Sequence, residues 1–138
     1  MRRRLIDSST FVPAPNPLRL LLSGLLSAEG VLGALWVAEQ VPSIATVAVA
    51  PLLVIVARAV AGALQLTSGW LLIARRLPAV AIARVAVLAS VVVTTVGIGG
   101  RLTPTDMDPA FRWYAVAIYA AYAGGLLIGL RHLGRRDW

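Results

Sequence analysis

Three ionisable side chains interrupt the long apolar runs of this sequence: Glu29, Arg58 and Arg84. A charged side chain is costly to hold in lipid, so a charge within a membrane span is a functional hypothesis by default. Glu29 could accept a proton or bind a cation. Gln65 follows Arg58 by seven residues, so the two share one face of a helix. Glu29, Arg84, Arg58 and Gln65 are therefore the candidate ligand or proton site.

The depth of each charge follows from the rise of a helix. Glu29 lies ten residues past Arg19, which is about 15 Å. Arg84 lies eight residues past Arg76, about 12 Å from the same side. Equal depth and opposite charge predict that Glu29 and Arg84 pair inside the bundle. Arg58 lies about 25 Å from that side and is expected to extend outward to the far interface.

Two alternatives for Glu29 stay open. It could act as a proton acceptor or cation site, in which case Glu29→Gln folds normally and loses only function. It could instead be protonated and pair with no charged group. The sequence alone does not choose between these and the structural ion pair.

Residue types that usually carry catalysis or bind metals are scarce. The chain has no cysteine, which excludes disulfides, thiol catalysis and cysteine-ligated metal or iron–sulfur sites. Its single histidine, His132, cannot form a metal site alone. Asp106 and Asp108 lie two apart in a polar loop and are interpreted as solvated. We expect a non-enzymatic protein without metal or cofactor.

The composition is that of a membrane protein. Of 138 residues, 59% are hydrophobic and 14% are charged, and the mean hydropathy is +0.82. A soluble domain is about 45–50% apolar and about 25% charged. The net charge of +7 comes entirely from arginines that mostly flank the apolar runs. No basic stripe with interleaved aromatic residues is present, so we expect the lipid bilayer, and not nucleic acid, as the partner.

The elements that position the candidate site are four predicted spans. Each is an apolar run of about 20 residues, the length needed to cross a bilayer as a helix. We predict an all-α, polytopic integral membrane four-helix bundle. An N-terminal arm over 1–17 precedes a single transmembrane domain over 18–138, with spans at about 18–37, 51–74, 79–98 and 113–130. Residues 43–50 form an apolar loop or short turn, or else join one long kinked helix.

Arginine placement predicts the orientation. Nine arginines fall on one side of the predicted spans and two, Arg101 and Arg112, on the other, and cytoplasmic loops carry the excess of positive charge. We therefore expect a multi-pass protein of the bacterial inner (cell) membrane with both termini in the cytoplasm. The nine are Arg2, Arg3, Arg4, Arg19, Arg75, Arg76, Arg131, Arg135 and Arg136.

Small residues recur at helical spacing in the spans. Ser23, Ser27 and Gly30 share a face of the first span, and Gly62 and Gly69 share a face of the second with Arg58 and Gln65. Small faces let helices approach closely. In the fourth span, Gly125 and Gly129 form a GxxxG motif that could support a homodimer. Ordinary packing within the bundle accounts for such faces equally simply.

The segment Ser27-Ala28-Glu29-Gly30 resembles the small multidrug resistance transporters, four-span proteins with a proton-exchanging glutamate in the first helix. The resemblance covers the first span alone and implies that Glu29 exchanges protons for cationic drugs. The chain departs from that family in its greater length, in Arg58 and Arg84, and in its strong arginine bias. Arginines within the bundle would repel a cationic drug.

Three classes of function are possible, and a membrane enzyme is disfavoured because no His, Cys or paired acids are arranged for catalysis. Two classes remain. The first is a non-enzymatic accessory or scaffold subunit of a membrane complex, because reactive residues are few and apolar surface is abundant. The second is a small transporter, channel or lipophile-binding bundle that uses Glu29. The two differ in whether Glu29 lies beside a cavity or is sealed against Arg84.

Overall fold

The computed structural model describes residues 16–102 and 107–136, apart from the side chain of Arg136. Within these residues the chain forms four helices: α1 (Pro17–Gln40), α2 (Val49–Ile73), α3 (Ala79–Thr94) and α4 (Pro109–Arg136). All four, with the turn that extends α3, are long and apolar enough to cross a membrane. The predicted all-α four-helix bundle is confirmed. Most of the predicted arm over 1–17 lies outside the described residues.

The helix ends follow local chemistry. At the start of α1, the Asn16 side chain accepts a hydrogen bond from the Leu18 amide at 3.0 Å, with Pro17 at the first position. Helix α2 begins two residues before Pro51, which therefore lies in the first turn, where its missing N–H leaves no helical hydrogen bond unmade. Between α1 and α2 the chain forms a 3₁₀ turn over Val41–Thr46, so the single long kinked helix does not form.

Helix α4 is longer than the predicted span 113–130. It begins at Pro109, a residue favoured in the first turn, and continues through Arg131 and Arg135. Cations stabilise the end of a helix, where the carbonyl groups carry partial negative charge. Hydropathy marks only the apolar middle of such a helix, which explains the shorter prediction.

The connection between α2 and α3 is a Schellman motif centred on Arg75. This residue adopts a left-handed conformation with φ of 53°. The amide of Arg76 donates to the carbonyl of Leu71 at 3.1 Å, and the amide of Arg75 donates to Leu72 at 3.4 Å. This tight turn makes α2 and α3 antiparallel neighbours. Arginine stands here at a position where glycine is usual.

Helix α3 ends in a π turn over Thr95–Gly99. The chain then reverses through Arg101, which also has a positive φ, 57°. The amide of Leu102 donates to the carbonyl of Gly97 at 2.9 Å, which closes the turn. Single π turns occur often at functional sites, because the extra residue redirects the groups around it.

The tightest contact in the bundle is the seam between α1 and α2. A methyl group at Gly30 would lie 2.5 Å from Cγ of Leu66 and 2.9 Å from the carbonyl oxygen of Gly62. One at Gly69 would lie 2.5 Å from the Ser27 hydroxyl. The Ser23 hydroxyl donates to the Gly69 carbonyl at 2.7 Å. The small-residue faces of the first two spans therefore pack against each other within the chain.

The apolar core lies at the end of the bundle where α1 begins, α2 meets α3 and α4 ends. We call it the arginine-rich end, because Arg19, Arg75, Arg76, Arg131 and Arg135 belong to it. Leu22, Leu26, Leu72, Val87, Leu126 and Leu130 are buried there. Large apolar side chains elsewhere on all four helices are exposed, as a lipid-facing surface requires.

The seam yields a stability prediction with a matched control in the same helix. Gly30→Ala should destabilise the bundle by about 1–3 kcal/mol, because the added methyl meets backbone as well as side chain. Gly24 has no atom within 4 Å of its added methyl, so Gly24→Ala should be neutral or slightly stabilising. Unfolding of both variants in mixed detergent micelles measures the difference. Equal stability of the two would contradict the close packing.

Candidate ligand site within the bundle

Glu29 is buried against α2. Its exposed fraction is 9%, and its Oε2 accepts a hydrogen bond from Nε2 of Gln65 at 2.7 Å. Gln65 itself is 0% exposed. The close approach of α1 and α2 at Gly30 brings the two side chains together. The amide thus replaces part of the hydration that the carboxylate loses in the apolar interior.

Helix α4 brings a phenol to the same carboxylate. The hydroxyl of Tyr119 lies close enough to interact with Glu29 and with Ser90 on α3. The Tyr122 ring lies one turn along, with its centroid 6.1 Å from that of Tyr119. Gln65 thus hydrogen-bonds Glu29 directly, and the phenol of α4 lies near the same carboxyl group.

Arg58 turns into the bundle. Its Nη1 donates to the Ser90 hydroxyl at 3.4 Å, and its guanidinium packs against Gly33, where a methyl group would lie 3.3 Å from Nε. It is close enough to interact electrostatically with both Glu29 and Tyr119. The expectation that Arg58 extends outward to the interface is wrong, because the missing side chain at Gly33 leaves room for the guanidinium inside.

Arg84 does not pair with Glu29, and this prediction is wrong. The predicted similar depth of Glu29 and Arg84 is consistent with the structure. Gln65, which bonds Glu29, lies seven residues or about 10 Å from Arg58 along α2. Arg84 lies six residues or about 9 Å from Ser90, the partner of Arg58, along α3. The Arg84 side chain, however, does not point toward Glu29. Arg84 is exposed on the outside of α3, and its guanidinium extends toward Gly134, where a methyl group would lie 3.5 Å from Nη2.

A cavity of about 430 Å³ adjoins this cluster at the end of the bundle opposite the arginine-rich end. Arg58 and Tyr119 are its charged and phenolic lining groups, and Thr94 adds a hydroxyl. Apolar residues and Gly97 complete the wall: Leu32, Trp36, Val54, Val93, Ile98 and Met107. The π turn that ends α3 forms part of this wall. The cavity is thus apolar, with a cation and a phenol beside Glu29.

Gln65 adds an unsatisfied acceptor to the cluster. Its Oε1 is buried and accepts no hydrogen bond within the described residues. An unsatisfied buried carbonyl costs about 1–3 kcal/mol. Nearly all buried polar atoms of folded proteins have a hydrogen-bond partner. Gln65 is not among the residues that line the cavity, so this oxygen stays an unsatisfied acceptor in the packed interior beside Glu29.

The sequence predicted Glu29, Arg58 and Gln65 as site residues, and the structure brings these three together. It missed Tyr119, which was not singled out. A signal was present: Tyr119 lies ten residues into α4, about 15 Å from its start, whereas tyrosines in membrane helices gather at the interfaces. Ser90 was not predicted as a site residue either.

The GxxxG glycines of α4 face different surroundings. Gly129 packs against Leu22 of α1, whose Cδ2 would lie 3.0 Å from an added methyl. Gly125 has open space around it. Packing within the chain therefore occupies one glycine of the predicted homodimer motif and leaves the other free.

Within the described part of the chain, no three His, Cys, Asp or Glu side chains lie close enough to hold a metal ion. Comparisons of the chain with protein-family models, with curated proteins and with solved structures find no match. The function must therefore be argued from the site itself.

A double-mutant cycle tests the Glu29–Gln65 bond. Glu29→Leu and Gln65→Leu should couple by about 1 kcal/mol in unfolding free energy, the scale of hydrogen bonds between membrane helices. Glu29→Leu and Arg84→Leu should be additive within about 0.5 kcal/mol, because the two residues do not interact. Unfolding in detergent of the single and double variants measures both couplings. Strong coupling to Arg84 with none to Gln65 would refute this arrangement.

Proposed function

We propose that the chain is a small membrane carrier or binding protein for an amphipathic molecule with an anionic head. The observation that carries this proposal is the convergence of Glu29, Arg58, Ser90 and Tyr119, from all four helices, beside an apolar cavity. Ligand sites in proteins are mostly apolar pockets of about 300–1,000 Å³ with a few convergent polar groups. The cavity of about 430 Å³ has these properties.

The positive charge of Arg58 favours a ligand with an anionic head group. Arg58 is the cation that lines the cavity, and it has five N–H donors for a carboxylate or phosphate head. Tyr119 can donate or accept beside it. A cationic ligand would be repelled by Arg58, which separates this proposal from drug–proton exchange by small multidrug resistance transporters.

Glu29 could couple the binding of a proton to the binding of the anion. A negative Glu29 and a bound anion compete for the same arginine and repel each other. Binding of a proton to Glu29 and of an anion near Arg58 should therefore favour each other, and such coupling is reciprocal. This is the arrangement required for proton-linked transport of an anion.

Quenching of tryptophan fluorescence tests the proposal, because Trp36 lines the cavity. The chain should be titrated in detergent with brominated alkyl chains that end in a carboxylate, an alcohol or a quaternary ammonium group. The carboxylate should quench at the lowest concentration. Arg58→Gln should weaken its binding about tenfold, because a charge-assisted hydrogen bond contributes about 1.5–3 kcal/mol.

Two controls make the outcome specific. Trp36→Phe should remove the saturable part of the quenching and leave that of the remaining tryptophans. Arg76→Gln removes the same charge from the exposed turn between α2 and α3 and should leave binding unchanged. Equal quenching by the three head groups, or equal losses in Arg58→Gln and Arg76→Gln, would refute an anion-selective cavity.

A second candidate is the accessory or scaffold subunit predicted from the sequence. The observation that favours it is the open face of α4, whose apolar window is the least buried of the four. Ile118 and Ile128 are exposed on this face, with Gly125 open between them. Such a face allows close approach by another helix, either of a partner subunit or of a second copy.

Disulfide trapping tests this second candidate cleanly, because the chain has no cysteine of its own. Ala121→Cys places a thiol on the open face, one turn before Gly125. Val60→Cys places one on an exposed position of α2 as the matched control. Oxidation in native membranes should yield a homodimer or a heavier adduct for Ala121→Cys alone. Identical behaviour of both variants would remove the support for an interface on α4.

A further inference from the structure

Three arginines converge on the outer surface of the bundle at the arginine-rich end. Arg84 comes from α3, and Arg131 and Arg135 come from the last turns of α4. They surround a pocket of about 360 Å³ whose remaining lining residues are Leu127 and Gly134. The described residues contribute no carboxylate to its lining. None of the three arginines forms an ion pair within the part of the chain that the structure describes.

The pocket depends on both helices. Arg84 leaves α3 within its apolar part, and its side chain extends toward the end of α4. It lies next to Gly134, where an added methyl would be in ordinary van der Waals contact, 3.5 Å from Nη2 of Arg84 and 3.4 Å from Cγ1 of Val80. The Arg84 side chain thus lies beside α4 and lines one pocket with Arg131 and Arg135.

From this convergence we propose that the pocket binds the phosphate of an anionic phospholipid. Three guanidinium groups offer the planar, paired donors that bind phosphate oxygens. Basic pockets between membrane helices bind anionic lipid head groups on the same principle. The site is separate from the cavity beside Glu29 and does not rest on the proposed carrier function.

The surroundings favour a lipid over a soluble phosphate. The surface next to the pocket, farther from the helix ends, is apolar and exposed: Val85 and Leu88 on α3, and Ile128 on α4. The phosphate would thus lie at the arginines while the acyl chains follow this surface into the bilayer. A soluble phosphate would gain nothing from contact with this apolar surface, whereas acyl chains would.

Native mass spectrometry of the full chain in a non-ionic detergent tests the proposal. The probes are phosphatidylglycerol, cardiolipin, phosphatidylcholine and inorganic phosphate. We expect saturable binding of one anionic lipid per chain, at least about tenfold tighter than phosphatidylcholine. Arg84→Gln should weaken that binding about tenfold, the effect of one charge-assisted hydrogen bond. Arg76→Gln, with the same charge change outside the pocket, should weaken it about twofold or less.

Gly134→Val provides a variant that keeps every charge and fills part of the pocket. It should weaken anionic lipid binding severalfold while leaving binding in the cavity beside Glu29 unchanged. Equal losses in Arg84→Gln and Arg76→Gln would show general charge attraction and overturn the site. Inorganic phosphate that binds as tightly, with the same dependence on Arg84, would overturn the lipid as its ligand.

Discussion

The buried carboxylate of Glu29 is the constraint on which the arrangement of the helices depends. A carboxyl group in the apolar interior must be satisfied by other groups, and here those groups come from α2 and α4, with a nearby guanidinium. The small residues of α1 and α2 help to meet this requirement, because they let the two helices approach closely. Gln65 reaches Glu29 directly only because Gly30 and Gly62 let the two backbones approach. The polar cluster thus depends on the close packing of α1 and α2.

The four helices were predictable from the sequence, because length and hydropathy mark the segments that can cross lipid. The position of each charged residue along its helix was also predictable, because helical rise is constant. The rotation of each helix about its axis was not. Glu29 and Arg84 lie at similar depth, yet one faces inward and the other outward. Rotation is decided by close packing at residues such as Gly33, which sequence periodicity alone does not identify.

The two ends of the bundle differ in how they use arginine. At the arginine-rich end, arginines surround a packed apolar core and extend to its surface. Toward the opposite end, the core gives way to a cavity, and Arg58 lies inside it. The β-branched and glycine-rich end of α3 contributes to that change, because its π turn interrupts regular packing. The same residue type therefore serves interfacial contacts at one end and an internal polar cluster at the other.

The seam between α1 and α2 has a consequence for the order in which the chain is made. Every residue of the seam, and both partners of the Glu29–Gln65 bond, lie in the first half of the sequence. Synthesis proceeds from the N-terminus, so this pair of helices is complete before α4 leaves the ribosome. The buried Glu29 thus has Gln65 as a partner before the last helix is made. Tyr119, in the last helix, joins a carboxylate that is already held in place.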